Sequence, residues 1–337
     1  MAQRDDNGAG LDSSQKPSMV ITRRHDRSIR MLLMQKFVKP FNSLLVKPPK
    51  KVFPAGSPRI ECHKKAAKTI ECSEREMEGI YLYDLTPKGR RDEKRKNKRL
   101  YYFCGGGWRA PASSEHWALL AEMTKELPDI AITLVSYPLA PNSPAPIAFP
   151  QLMRLYRAVM EAAQEAGEEV ILGGDSAGGN IVLCMILAAL AEDVENGTEL
   201  PCPKTIFAMS PSTDLTRGNP DIDKIQKKDP LLRKSFVVET AKGWSADWDA
   251  RDTRVSPLYA DVSLLAKREI TVHGLTGGYD ILGPDALLFR EKLSEASVRG
   301  EWLAWDKQMH CFPLAFTFKF RECIAGKDWI LDVLRRS

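Results

Sequence analysis

Apolar and polar residues alternate along the last 240 or so residues in a way that predicts strands and helices in turn. Short apolar runs at residues 130–136 and 205–209 are typical of buried strands, and residues 115–127 and 151–166 have helical periodicity. Strands separated by helices of about 10–15 residues predict a mainly parallel sheet covered on both faces. Further strands of this kind are predicted at residues 169–172, 270–275 and 301–305, and further helices at about 179–195, 285–297 and 327–336.

The N-terminal part has a different pattern. Residues 1–18 are polar and mixed in charge, which predicts a disordered arm. Residues 30–46 are apolar on more than one face and are interrupted by Pro40, so we interpret residues 19–60 as short cap helices. With lysines nearby, this apolar stretch could instead lie on a membrane surface.

Three strands are predicted next, at residues 68–73, 80–85 and 99–104. The second and third are separated by KGRRDEKRKNKR, residues 88–99, which holds eight basic and two acidic residues. Two strands beside a short charged segment indicate a hairpin with the basic run as its solvated tip. The run could also bind an acidic partner or a nuclear import receptor.

Charge and composition narrow the class of protein. The 337 residues have a net charge of +5 and are 43% hydrophobic, which is ordinary globular composition. Residues 100–337 nevertheless hold 25 basic and 32 acidic residues. A uniformly basic nucleic-acid-binding domain does not have that distribution, so no nucleic-acid partner is predicted.

Targeting and redox signals are also limited. The longest unbroken apolar run, residues 181–191, is shorter than the roughly 20 residues of a transmembrane helix, and no signal peptide is visible. Seven cysteines without a CxxC pair support neither a zinc site nor a small disulfide framework. These features predict a cytoplasmic protein with reduced thiols.

The strongest chemical signal is the GxSxG motif at residues 174–178, centred on Ser176. It follows a short buried strand and precedes an apolar helix, the context in which a sharp turn exposes a nucleophilic serine. Side chains at the flanking positions would clash, which accounts for Gly174 and Gly178. The alternative is a glycine-rich turn without chemistry.

A second signal is the sequence CGGGW at residues 104–108, directly after a predicted strand. Three glycines leave backbone N–H groups uncovered, and such groups can stabilise a developing oxyanion. Loss of one such donor typically costs about 2.7–4 kcal/mol of transition-state stabilisation. A GGG segment can also be a plain flexible loop.

A serine nucleophile needs a base, and the chain has five histidines. His310 is preferred because it follows the last strand, in a loop that returns to the edge of the sheet where Ser176 would lie. His116, which opens a helix close after the glycine loop, is the second candidate. The other three are interpreted as surface or sheet residues: His25, His63 and His273.

The base in turn needs a carboxylate to fix its tautomer. Asp280 follows the strand predicted to end at residue 275, so it too lies at a C-terminal strand end. Asp285 is better interpreted as the N-terminal cap of the next helix. Asp306 is near His310 in sequence but points elsewhere if its strand continues.

The order Ser176, Asp280, His310 is that of α/β-hydrolases. Over residues 55–335 the chain resembles the hormone-sensitive-lipase-like branch of that family, which includes carboxylesterases and arylacetamide deacetylases. Besides residues 104–108 and 174–180, the matching segments are YPLAP at 137–141, Ser210-Pro211, Asp214-Leu215 and VSPL at 255–258.

The resemblance implies an α/β-hydrolase fold with a mostly parallel eight-stranded sheet, helices on both faces and a helical cap. The hydrolase domain would then span residues 61–337, with a cap insert at about 216–252, a segment whose polar, helix-like sequence already suggests a lid. The oxyanion donors carried over from the family are Gly106, Gly107 and Ala177, with Gly105 in the same motif. The family usually has histidine where this chain has Cys104, a weaker hydrogen-bonding residue.

Three tryptophans are candidate substrate-binding residues. Trp244 and Trp248 are four residues apart on the predicted cap, so they would share a helix face. They could line a hydrophobic pocket with Trp108, or anchor the cap.

The resulting hypothesis is a serine carboxylic-ester hydrolase of the carboxylesterase or deacetylase type. It would act on a small-molecule ester, such as a secondary metabolite, as a monomer or homodimer, with no metal or cofactor implied. The alternatives are an acyltransferase, a lactonising or cyclising enzyme with the same triad, and a hydrolase-like small-molecule receptor.

Overall fold

The computed structural model describes residues 3–4, 18–46, 51–89 and 97–337. One sheet of ten strands organises them. The strands are β1 Gln3–Arg4, β2 Met19–Arg24, β3 Ile70–Met77, β4 Ile80–Pro87, β5 Lys98–Phe103, β6 Ile130–Ser136, β7 Glu169–Asp175, β8 Thr205–Met209, β9 Thr271–Gly277 and β10 Gly300–Trp305.

The strand order is β1-β2-β10-β9-β8-β7-β5-β6-β4-β3. Strands β6, β5, β7, β8, β9, β10 and β2 run parallel, and β4 and β3 continue the sheet antiparallel at one edge. The α/β fold class is therefore confirmed, with two strands more than the eight expected. The two added strands, β1 and β2, lie at the opposite edge from β3.

Ten α-helices accompany the sheet in the described part of the chain. They are α1 Ile29–Val38, α2 Asn42–Leu45, α3 Ser114–Glu126, α4 Ala145–Ala166, α5 Ala177–Asn196, α6 Asp221–Gln226, α7 Lys234–Ser245, α8 Ser263–Lys267, α9 Gly283–Glu295 and α10 Arg321–Arg336.

Strand alternation divides the core between two faces of the sheet. In β5, Tyr101 and Phe103 point into a cluster with α4, α5 and α9, whereas Leu100 and Tyr102 point into a cluster with α3 and α10. Full burial of each large apolar side chain contributes about 1.5–3 kcal/mol, so both helical layers hold the central strands in place. The parallel strands consequently end together at one edge.

Helix α5 is the most apolar helix and packs directly against β7 and β8. By length and composition alone it could cross a membrane, and it is the one helix in the described residues that passes that test. In the fold, 78% of its most apolar window is buried inside the domain. It is the central helix behind the motif at residues 174–178.

The N-terminal segment differs from the expectation of cap helices throughout residues 19–60. Residues 19–24 form β2, which pairs in parallel with β10. The reason is local, since Val20, Ile21 and Thr22 are β-branched and suit a half-buried strand. The helices begin only at Ile29. Most of the predicted disordered arm, residues 1–18, lies outside the described residues.

Helix α1 packs by one side only. Met31 and Gln35 are buried, and the Gln35 side chain donates to the carbonyl of Lys307 at 2.8 Å. This contact places α1 beside the loop that follows β10. The outward side carries the exposed apolar residues Ile29, Leu33 and Phe37, and Phe41 and Leu44, which follow α1, are exposed as well.

The predicted hairpin of β4 with β5 is wrong. Strand β4 pairs antiparallel with β3 and with β6, and β6 separates it from β5. The hairpin is instead β3–β4, turned at Glu78 and Gly79, which both have positive φ. The basic run at residues 88–99 therefore connects two strands that are not neighbours in the sheet. Lys98 and Arg99 belong to β5, and residues 90–96 lie outside the described residues.

Candidate active site

Ser176 occupies the turn between β7 and α5 with φ 51° and ψ −116°. This is a strained conformation for a residue with a side chain, and the surrounding contacts fix it. The Ser176 amide donates to the carbonyl of Met209 in β8 at 2.9 Å. The serine is therefore presented at the C-terminal edge of the sheet.

The glycines of the motif are required by close backbone packing. A Cβ at Gly174 would lie 2.6 Å from the carbonyl carbon of Gly178. A Cβ at Gly178 would overlap the carbonyl oxygen of Phe103 in β5. The helix can approach β5 and β7 this closely only because both positions lack side chains.

Asp280 and His310 come together at the same edge. Asp280 follows β9, His310 follows β10, and the Nδ1–H of His310 donates to Oδ2 of Asp280 at 2.8 Å. The other oxygen of Asp280 accepts the amide of Leu282 at 2.9 Å. Burial disfavours charge on the His310 imidazole, but the adjacent Asp280 carboxylate outweighs it and raises the pKa of His310 well above its usual value.

The remaining nitrogen of His310 contacts a neighbour that the sequence had not indicated. Its Nε2 lies 3.4 Å from the sulfur of Cys311. Burial raises the pKa of the Cys311 thiol to about 12, so the thiol stays protonated and donates weakly. Among the described residues, His310 has no hydrogen bond to the Ser176 hydroxyl. Such contacts are often long in a resting enzyme and tighten with substrate.

The glycine loop presents two free amides. Gly106 and Gly107 have φ values of +135° and +61°, and nothing in the described residues accepts a hydrogen bond from either N–H group. Gly105 differs from expectation, because its amide donates to Oδ1 of Asp175 at 3.0 Å. We therefore correct the assignment of Gly105, which anchors the loop and is not available to an oxyanion. Ala177 is the first residue of α5, next to the nucleophile.

Asp175 is the functional residue that sequence reasoning missed. It is buried, and besides Gly105 it accepts the Tyr102 hydroxyl and the His116 Nε2–H, both at 3.1 Å. Burial would raise the pKa of Asp175, but His116 and the Gly105 amide hold it below its usual value. A buried carboxylate thus links the nucleophile turn to the glycine loop. The available signals were the aspartate inside the motif and His116 three residues after a helix-capping serine.

Cys104 is buried in this network. Its carbonyl accepts the Tyr137 hydroxyl at 2.7 Å, which fixes the backbone before the glycines. Burial and the nearby Asp175 charge raise the pKa of the Cys104 thiol well above its usual value, so the side chain is a neutral thiol. The loop is held by Asp175 and Tyr137, not by this side chain.

The three tryptophans separate into two groups. Trp108 and Trp244 are both buried and stack with ring centroids 5.7 Å apart and an interplanar angle of 8°. The shared face expected for Trp244 and Trp248 is wrong, because α7 ends at Ser245. Trp248 instead packs edge-on against Phe149, with the Arg254 guanidinium over its ring.

The rival acids and bases lie elsewhere. Asp306 pairs with His25 at 2.7 Å on the surface, and His273 accepts the amide of Glu301. Asp285 accepts the Asn219 side chain at 2.8 Å in the first turn of α9. His116 pairs with Asp175, as described above.

One group of three buried side chains could in principle hold a metal ion. The ligand atoms of Cys104, His116 and Asp175 lie within 4.8 Å of one another, the one such group among the described residues. Both oxygens of Asp175 already accept hydrogen bonds, and the thiol is protonated. The donor set is therefore engaged in loop anchoring and does not fit a metal site.

A parallel sheet with a serine on a strained strand-to-helix turn, and an Asp–His pair at the adjacent strand ends, defines the class of α/β-hydrolases. A family model described as alpha/beta hydrolase fold matches residues 100–314. The chain belongs to that family.

Similarity to individual proteins is consistent with this family. An esterase of Acinetobacter venetianus is 30% identical over 201 residues, which cover 59% of this chain and 62% of that protein. Hormone-sensitive lipase of Ictidomys tridecemlineatus is 30% identical over 171 residues, covering 50% and 21%. The chain thus spans less than two thirds of the length of either relative.

A solved structure agrees at the level of the fold. Carboxyl esterase 2 from the mycorrhizal fungus Tuber melanosporum superposes with a TM-score of 0.74 at 18% identity, covering 92% of this chain and 99% of that one. The shared architecture therefore extends beyond the segment matched by the family model.

Proposed function

We propose that the protein is a serine hydrolase of carboxylic esters in which Ser176 is the nucleophile, His310 the base and Asp280 the orienting acid. The observation that carries this proposal is the strained Ser176 turn at the same sheet edge as the His310–Asp280 pair. The esterase and lipase relatives support the same reaction type.

The reaction follows from the positions of these groups. His310 takes the proton of the Ser176 hydroxyl through Nε2 as the serine attacks the ester carbonyl. The Asp280 carboxylate stabilises the resulting imidazolium, and the raised pKa of His310 reflects the negative charge of that carboxylate. The amides of Gly106, Gly107 and Ala177 donate to the oxyanion. His310 then protonates the leaving alcohol, and water hydrolyses the acyl-enzyme by the same route.

The setting of the reaction is also part of the proposal. All seven cysteines are unpaired, which fits a cytoplasmic protein. The substrate would be a small-molecule ester. Thr240 of α7 packs beside Gly107, so this helix lies next to the proposed oxyanion amides.

Ser176→Ala tests the nucleophile. With a chromogenic short-chain ester, we expect kcat to fall by about 10⁴-fold or more. The matched control is Ser114→Ala, an exposed serine in α3 that should leave kcat unchanged. A fluorophosphonate probe should label wild type and the Ser114→Ala variant, but not Ser176→Ala. Activity close to wild type in Ser176→Ala would refute the mechanism, and an unlabelled, inactive wild type would favour the receptor.

A further inference from the structure

A buried carboxylate of the cap insert touches the turn that carries Asp280. Asp229 lies between α6 and α7 and is fully buried. Its Oδ1 accepts the amides of Leu231 and Leu232 at 2.8 and 2.9 Å. Its Oδ2 accepts the amide of Ile281 at 2.8 Å. One side chain therefore bonds both to its own cap segment and to the residue that follows Asp280.

Apolar packing joins the same two segments. A separate hydrophobic cluster contains Ile222, Leu232 and Val237 from the cap insert together with Ile281 and Leu282 from the Asp280 turn. The Asp280 turn thus packs as part of the cap. The hydrogen bond from Ile281 to Asp229 satisfies an amide inside this cluster, where an unpaired amide would be costly.

Asp229 and Asp280 are two neighbouring buried carboxylates, and the charged groups around them favour ionisation of Asp280 more than that of Asp229. Burial, and then the charge of Asp280, raise the pKa of Asp229 to about 7, and the three amides only partly offset this. His310 faces Asp280 from the loop after β10, and the buried Arg217 faces it from the segment after β8. Lys228 precedes Asp229 and reaches the Tyr279 ring, 5.9 Å from its centroid.

We propose that Asp229 is a positioning residue for the triad: it holds the turn that presents Asp280 and places a second negative charge behind the Asp280–His310 pair. The inference rests on the proposed function, because it assigns a task relative to that triad. Asp229 itself does not touch the reacting atoms. It acts through Asp280 and, one step further, through the imidazole.

The sign of the electrostatic effect follows directly. An ionised Asp229 favours the imidazolium of His310, so removing its charge should lower the pKa of His310. The acid limb of the kcat/KM profile should then move to lower pH, while the transition state, which contains imidazolium, is stabilised less. Because the pKa of Asp229 is raised in the fold, its ionisation costs stability above pH 4, so an uncharged replacement removes that cost.

The test compares Asp229→Asn with wild type. We expect kcat to fall about tenfold or more, KM to change by less than about threefold, and the acid limb to move down by about half a pH unit or more. The control is Asp285→Asn, which removes another buried carboxylate that bonds Asn219 and not the Asp280 turn. That control should keep the wild-type acid limb.

A second variant, Asp229→Ser, distinguishes loss of the charge from misfolding. In Asp229→Ser the hydroxyl can still accept an amide of the 231–232 turn, but the charge and the reach to Ile281 are lost. It should show the same displaced limb. The titration of the His310 imidazole by NMR provides a readout that does not need turnover, with a lower pKa expected in both variants.

Two results would overturn the proposal. One is a folded Asp229→Asn protein with wild-type kcat and pH profile. The other is a loss of kcat with the His310 titration unmoved, which would make Asp229 a structural residue only. Failure of the proposed function looks different, because wild type itself would then show no Ser176-dependent hydrolysis, while the His310 titration would remain measurable.

Discussion

Two buried histidine–aspartate pairs lie close to Ser176, and they are alike in most respects. His310 and Asp280 are 2.8 Å apart, and His116 and Asp175 are 3.1 Å apart. All four side chains are nearly or fully buried. By proximity and burial alone, either pair resembles the base and acid of a hydrolase.

The pairs differ in which ring nitrogen meets the carboxylate. His310 donates through Nδ1 to Asp280. Its Nε2 has a weak contact with the Cys311 thiol at 3.4 Å, so this nitrogen can still take a proton from outside the pair. His116 uses Nε2 for Asp175, and its Nδ1 accepts the amide of Ser113 at 3.0 Å. Both nitrogens of His116 are therefore occupied by the fold. A ring nitrogen held only by a weak thiol contact, more than burial or pairing, is what favours His310 as the candidate base, whereas His116 serves as a brace that holds Asp175 in place.

The largest expected effect comes from breaking each pair at its histidine. We expect His310→Ala to lower kcat by about 10⁴-fold, because the serine then has no base. His116→Ala should lower it by about 10–100-fold, because the Gly105 anchor loosens and the oxyanion amides move. Single-turnover kinetics with a chromogenic ester measures both. Equal losses of kcat in the two variants would mean that the different roles assigned to His310 and His116 are wrong.

The difference between the pairs also shows what sequence reasoning can reach. The strand ends, the GxSxG turn and the order Ser176, Asp280, His310 follow from patterns within short segments, and the α/β fold class was predicted from them. The role of Asp175 was not, because it depends on Tyr102, Gly105 and His116, which only the folded sheet brings together.

The errors in the fold have a similar origin. The charged segment after β4 suggested a local hairpin, but β6, some 40 residues later, takes the neighbouring place in the sheet. Strand β2 was interpreted as helix because its parallel partner, β10, lies near the other end of the chain. Pairing between distant segments leaves little trace in local hydrophobic patterning.

The pH dependence of kcat/KM should also distinguish the His310–Asp280 pair from the His116–Asp175 pair, by a smaller effect than the histidine substitutions. Since Asp280 raises the pKa of His310, kcat/KM should fall about tenfold per pH unit below a midpoint above about 6.5. The charged imidazole also favours the folded state, a contribution present below pH 6.5 and lost as the pH rises through the raised value. The pKa of Asp175 is lowered, so the Asp175 carboxylate that pairs with His116 should stay ionised throughout this range. A kcat/KM profile of wild type and of His116→Ala checks this. Both should share one midpoint, and a displaced midpoint in His116→Ala would show that the pairs are coupled.

Replacing Cys104 should have the smallest effect, although its position before the glycines is where the family usually has histidine. The Cys104 carbonyl is fixed by Tyr137, and the next amide is fixed by Asp175. Since both contacts use the backbone of residues 104 and 105, Cys104→Ala leaves them in place. We expect kcat/KM to change less than about threefold, with a modest loss of thermal stability from the vacated volume.

Tyr137→Phe is the matched comparison, because it removes the hydroxyl that holds this carbonyl, and it should lose more activity than Cys104→Ala. If Cys104→Ala lost more activity than Tyr137→Phe, the thiol itself would be holding the oxyanion loop. The hydrogen bonds of Asp175 would then be insufficient without it.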